Sequence, residues 1–147
     1  NAFETLKNFD QVDKNKTGAI GFCFGGKCAL DLARSGEDIK GVVSFHGLYD
    51  APTASTGKQL KGTLKIDSSI LILHGYDDPM ATPKSMIDLA DELNSKKAKW
   101  QIHAYGNVGH AFTNPEANQR ENGLFYDQYA DEHSWNEMKN FFSKLFL

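Results

Sequence analysis

The sequence predicts an α/β domain, a mostly parallel sheet of about four strands flanked by helices. Three observations predict it. Short apolar runs alternate with amphipathic stretches, the pattern of successive βα units. The run Ile70 to Leu73 is apolar without alternation, as expected of a central strand covered on both faces. The chain has 147 residues, 40% hydrophobic and 12% aromatic, enough apolar surface for one core and too much for a disordered chain. Residues 1–147 are therefore read as a single domain.

The elements follow in order. Residues 2 to 12 read as a helix, because Phe3, Leu6 and Phe9 recur at a spacing of three. Asp13 to Gly18 is a polar turn. Ala19 to Phe24 is a short strand ending in glycines, and Lys27 to Arg34 is a helix stopped near Gly36. Gly41 to Phe45 is a second buried strand, Ala51 to Thr63 a loop, and Ser69 to Leu73 a third strand. Thr82 and Pro83 supply a helix cap and a proline at the first helical position, with Met86, Ile87, Ala90 and Leu93 as the buried stripe. Lys99 to Tyr105 alternates, Trp100, Ile102 and Ala104 facing one way and Gln101 and His103 the other. Gly106 to His133 is a long irregular segment of the kind that often carries function. Ser134 and Glu137 form a capping box for a last helix that buries Trp135, Met138, Phe142 and Leu145.

Charge narrows the function. The formal net charge is −3, the pI is near 5.9, and acidic and basic residues are interspersed. A nucleic-acid partner needs a concentrated basic face, and a membrane anchor needs a polybasic cluster. Neither is present, and no apolar run approaches the roughly 18–20 residues that span a bilayer. Two cysteines, Cys23 and Cys28, are too few for a disulfide framework and suit a reducing, cytoplasmic setting.

Three motifs compete for the first forty residues. Asp13-Lys-Asn15-Lys-Thr17-Gly18-Ala-Ile20 imitates the start of a calcium-binding EF-hand loop, but Phe24 stands where the bidentate Glu is required. Gly21 to Lys27 has the glycine and lysine spacing of a P-loop, but Cys28 stands where a hydroxyl should ligate magnesium, and a soft thiol suits that hard cation poorly. The third reading takes Gly21-Phe22-Cys23-Phe24-Gly25-Gly26 as a nucleophile elbow, a strand that turns sharply into a helix with Cys23 at the tip. Gly21 and Gly25 give the small flanking residues that such a bend requires. The helix N-terminus favours a thiolate at Cys23, and the Phe24 N–H can donate to an oxyanion.

An elbow needs an acid and a base on later strands, in that chain order. The third strand runs into His74-Gly75-Tyr76-Asp77-Asp78-Pro79, which places Asp78 as the acid, with Asp77 a competitor beside it. The fourth is followed by Gly109-His110, which places His110 as the base. His46 and His74 also end strands but lack metal-ligand spacing, and are read as supporting or packing residues. The combination predicts a thiolate nucleophile that attacks an ester or lactone carbonyl, with hydrolysis of the resulting thioester. Tyr49, Tyr76, Met80 and Phe112 neighbour strand ends and are candidates to line a substrate pocket.

GFCFGG at 21–26, HGYDDP at 74–79 and GHAFTNPEA at 109–117 resemble the dienelactone hydrolase (carboxymethylenebutenolidase) family of α/β-hydrolases. The resemblance runs from the first helix to the C-terminus, and the cysteine nucleophile is its most specific mark. It implies Cys23, Asp78 and His110 as a catalytic triad, no cofactor, no metal and a small ester or lactone as partner. Members that hydrolyse dienelactone carry an arginine four residues after the histidine, where this chain has Asn114. That position is a further substrate-binding candidate, and its change points away from dienelactone itself.

Complete members are longer, and the chain begins at Asn1. It is expected to be the C-terminal portion of the α/β-hydrolase fold, poorly active alone. The first strand would then be an open sheet edge, a place to pair with the missing N-terminal segment or another chain. A non-catalytic or thiol-redox-sensing domain on the same fold is the alternative, and a nucleotide- or calcium-binding module a third.

Overall fold

Parallel pairing organises the structure. A computed structural model describes residues 2–50 and 65–147. Among these residues, β1 (Gly18–Phe22), β2 (Gly41–Phe45), β3 (Ser69–Gly75) and β4 (Lys99–Tyr105) form one sheet in the order β1-β2-β3-β4. Every neighbouring pair is parallel, with Phe22 beside Phe45, Phe45 beside Leu73, and Gly75 beside Tyr105. All four strands therefore end along one edge, and the residues that follow them share a crevice, the usual ligand position in open α/β sheets.

The apolar runs of the central strands are buried on both faces. Val42, Ile70 and Ile72 join Leu30 and Ala33 of α2 (Phe24–Arg34) and Leu89 and Leu93 of α3 (Pro83–Ser95) in one core. Val43, Phe45, Leu71 and Leu73 face the other way, against Ala130 and Met138 of α4 (Gln128–Leu145). The two-residue period of a strand sends alternate side chains to opposite layers. Arg34, only 2% exposed, locks α2 to α3 through both oxygens of Glu92 and donates to the Tyr49 carbonyl at 2.8 Å. Gly36 continues past the end of α2 at φ 83°, the left-handed conformation in which glycine is least strained.

Element boundaries differ from expectation at several points. The first helix, α1 (Ala2–Lys7), stops early; Phe3 is buried, but Leu6 and Phe9 are exposed. The first strand ends at Phe22, which leaves Cys23 outside it and lets α2 begin at Phe24. In α3 the fully buried pair is Leu89 and Leu93, while Ile87 lies open. The expected capping box at Ser134 and Glu137 is absent. Asp127 caps α4 by accepting from the Ala130 N–H at 2.9 Å, and Ser134 lies buried inside the helix with its hydroxyl donating to the Asp131 carbonyl. Met138 is buried and Phe142 half-buried, but Trp135 is exposed. The segment after β4 is correspondingly shorter, and it holds a small hairpin of β5 (Asn118–Gln119) and β6 (Leu124–Phe125) around a 3₁₀ turn at Arg120–Asn122. The loop expected at 51–63 lies outside the described residues.

Two alternative motifs meet physical obstacles. β1 fills the second half of the would-be EF-hand loop, Phe24 offers no side-chain oxygen where the bidentate Glu is required, and the Asp13 side chain accepts from the Asn15 N–H at 2.9 Å within the turn. Where a P-loop lysine would meet phosphate, Lys27 faces Asp31 and Asp50 at 3.4 and 3.2 Å. No helix among the described residues is long and apolar enough to cross a membrane.

Candidate active site

The bend between β1 and α2 holds Cys23 at φ 52° and ψ −119°, a sparsely populated region for a residue with a Cβ. Backbone bonds hold it there. The Cys23 N–H donates to the Phe45 carbonyl at 3.0 Å, and the Cys23 carbonyl accepts from Gly26 and Lys27 at 3.0 and 3.3 Å. A Cβ at Gly21 would overlap the Gly25 backbone, so glycine is required there. A Cβ at Gly26 would press on Ser44 Oγ at 2.5 Å and Gly47 Cα at 3.0 Å. At Gly25 a Cβ would meet nothing within 4 Å, so the steric demand falls on Gly21 and Gly26, contrary to the expected pairing of Gly21 with Gly25. The first N–H groups of α2, Phe24 included, have no intrahelical acceptor and surround the bend with positive dipole.

Asp78 sits on the turn after β3, 1% exposed. One carboxylate oxygen accepts from the backbone N–H groups of Met80 and Ala81 at 2.7 and 3.2 Å. The other lies 2.7 Å from Nδ1 of His110. Asp77, the neighbouring candidate, is exposed. A carboxylate can only accept, so Nδ1 carries the proton and Nε2 is left to face Cys23 Sγ, 3.0 Å away. The His110 backbone is clamped on both sides, its N–H donating to the Gly123 carbonyl and its carbonyl accepting from Phe125. Burial works to lower the His110 pKa, but the contacts with Asp78 and Cys23 outweigh it and raise it above the ordinary value.

Cys23 and His110 border an open cleft of about 680 Å³, walled also by Phe22, His46, Met80, Thr113, Asn114 and Leu124, with Asp78 buried behind His110. Of the pocket candidates, Met80 and Asn114 line the cleft. Tyr76 is exposed and does not line it. Tyr49 and Phe112 are buried behind it; the Tyr49 hydroxyl bonds to His74 Nδ1 at 2.8 Å, and Phe112 packs in the α4-side core. The wall residues Phe22, Thr113 and Leu124 escaped sequence reasoning. His46, read from the sequence as a supporting or packing residue at a strand end, lines the cleft: it follows β2 as Cys23 follows β1, and parallel register puts both on the same edge.

A cysteine held in strain between strand and helix, with a histidine and a carboxylate delivered by the ends of later parallel strands, is the layout of an α/β-hydrolase. The sequence profile of the dienelactone hydrolase family matches residues 1–146, and the chain belongs to that family. An uncharacterized protein of Caenorhabditis elegans is 35% identical over 147 residues, covering 99% of this chain and 90% of that protein. A probable 2-oxo-3-(5-oxofuran-2-ylidene)propanoate lactonase of Bradyrhizobium is 27% identical over 114 residues, covering 76% of this chain and 46% of that protein. Among solved structures, a dienelactone hydrolase-like promiscuous phosphotriesterase from metagenomic libraries superposes with a TM-score of 0.84 at 39% identity, covering 98% of this chain and 58% of that one. The chain thus spans roughly half the length of these last two relatives.

Proposed function

We propose that this chain carries the nucleophile, base and acid of a hydrolase for small, uncharged esters or lactones, working through a Cys23 thioester. The observation that carries the reading is the continuous line from Cys23 Sγ to His110 Nε2 at 3.0 Å and from His110 Nδ1 to the Asp78 carboxylate at 2.7 Å. His110 takes the thiol proton, and the resulting imidazolium is stabilised by Asp78. The thiolate forms an Sγ–C bond to the substrate carbonyl while the π electrons move to oxygen, where the Phe24 N–H donates. Collapse breaks the C–O bond, and the leaving alkoxide takes the proton from Nε2. Water then gives a proton to His110 and attacks the thioester, which releases the acid and restores the thiolate.

The cleft wall supports the choice of neutral substrates. Among the described residues that line it, none is a lysine or an arginine, and Asn114 has no charge with which to hold a carboxylate. The names of two relatives, a lactonase and a promiscuous phosphotriesterase, mark lactones and activated esters as the compounds to try first. Rapid-quench mass spectrometry of the intact protein with p-nitrophenyl acetate tests the reading. An acetyl adduct on the Cys23 peptide, lost on further incubation and absent from Cys23→Ala, is expected. Turnover by Cys23→Ala at the unaltered rate would overturn it.

A further inference from the structure

His46 stands apart from the other cleft residues. It follows β2 with a backbone φ of 35°, rare for a side chain with a Cβ, and is 3% exposed. Its backbone N–H donates to the Leu73 carbonyl at 2.8 Å, which fixes it across the sheet edge. Its ring meets the His110 ring edge to face at a centroid distance of 5.0 Å, and meets Phe112 in the same manner at 5.1 Å. Nε2 hydrogen-bonds Thr113 Oγ1 at 2.9 Å, three residues beyond His110 on the same loop. A polar ring in strained backbone, buried between the base and its loop, is costly to maintain unless the arrangement over-determines something.

Resting on the hydrolase reading above, we propose that His46 and Thr113 form a positioning unit that keeps the His110 imidazole aimed at the Cys23 sulfur. The ring edge of His46 limits rotation of His110, and the bond to Thr113 ties the loop bearing His110 to the tip of β2. Asp78 holds one end of the His110 ring; this unit supplies the lateral restraint that a single hydrogen bond leaves open. Among the described residues, His110 and Asp78 from the turn after β3 bear on His46, and Asp78 and Cys23 from the bend bear on His110. Burial, followed by the charge of His110, holds His46 neutral, so the base faces an uncharged ring when it carries a proton.

The pH profile of iodoacetamide alkylation at Cys23, followed by peptide mass spectrometry on the intact protein, tests the proposal without any substrate. In the unaltered protein Cys23 is expected to react faster than Cys28 near neutral pH, because His110 Nε2 stands 3.0 Å from its sulfur, placed to accept the proton. Thr113→Val and His46→Phe, both close in volume, are each expected to slow Cys23 about tenfold at pH 7 and move its profile to higher pH. Thr113→Ser keeps the hydroxyl and should track the unaltered protein. The double variant His46→Phe/Thr113→Val should be no slower than either single one, as expected of residues acting as a unit. Should His46→Phe not fold, Thr113→Val decides alone. Profiles of folded Thr113→Val that superpose on the unaltered protein would overturn the positioning role. Equal reactivity of Cys23 and Cys28 in the unaltered protein would instead overturn the hydrolase reading, and this proposal with it.

Discussion

His46 and His110 meet edge to face at 5.0 Å, yet their surroundings push their proton affinities apart. Burial and the neighbouring His110 push His46 down to about 4. For His110 burial is outweighed by Asp78 and Cys23, and its pKa rises. Two imidazoles in contact therefore take different charge states over a wide pH range, as the proposed mechanism requires of a base beside a neutral wall.

This separation predicts a stability maximum near pH 6.5. Between about 4 and 6.5 the unfolded chain protonates His46 and the folded chain does not, so stability rises with pH across that window, by roughly 3 kcal/mol from this residue. Above 6.5 the folded state holds the His110 proton that the unfolded chain has released, so its contribution is lost as pH rises through the raised value. Urea unfolding between pH 4 and 9 measures this. His46→Phe should flatten the acid limb.

The glycines of the bend give a sharper contrast than their spacing suggests. At Gly21 an added Cβ would meet backbone atoms of Gly25, which no rotamer can relieve, so Gly21→Ala should destabilise by about 3 kcal/mol and displace the start of α2. Gly25 sits in the first turn of α2 with nothing near its missing Cβ. Gly25→Ala should leave stability unchanged or raise it by up to ~1 kcal/mol through helix propensity. Thermal unfolding of the two variants side by side checks both signs.

Asp78→Asn isolates the tautomer. An asparagine oxygen can still accept from Met80 and Ala81, so the turn after β3 should survive. The amide then offers an N–H to His110 Nδ1, which must become the acceptor, and the proton moves to Nε2 facing Cys23. The base is lost although the geometry stays. Under the proposed mechanism kcat/KM for an activated ester should fall by roughly 10³-fold or more, with near-unchanged circular dichroism and Tm.

Much of the site was legible because parallel strands impose an order. A strand must run into the bend at Cys23, and the residues after β3 and β4 must arrive on the same edge, so Asp78 and His110 followed from strand order. What was not legible depended on contacts between distant segments. Tyr49 and Phe112 neighbour strand ends but are buried, Tyr49 in the core shared with α2 and α3 and Phe112 in the core against α4. The start of α4 lies about two turns before the expected cap because Asp127 and Ser134 both suit that role, and Asp127 is anchored by its N–H to the Phe112 carbonyl. The 2–12 helix failed for a related reason: only Phe3 reaches the core, and periodicity alone does not hold a helix that buries one side chain.

The ion pair between Arg34 and Glu92 offers a last test, one that concerns the scaffold beneath the cleft. Arg34 donates to both Glu92 oxygens, to Asp31 at 2.8 Å and to the carbonyls of Tyr49 and Asp50 at 2.8 and 3.3 Å. It thereby ties the segment that follows His46 to two helices. Glu92→Ala removes the main counter-charge from a guanidinium that water barely reaches, and should cost roughly 3 kcal/mol in urea unfolding. Arg34→Lys should cost a similar amount, because one ammonium cannot span acceptors fixed for a planar fork. Amide hydrogen exchange distinguishes this from a loss of helix α3 alone. If the pair anchors the 46–50 segment, both variants speed exchange there as well as in α3; protection at 46–50 that stays at the unaltered level would show that β2 holds the segment without Arg34.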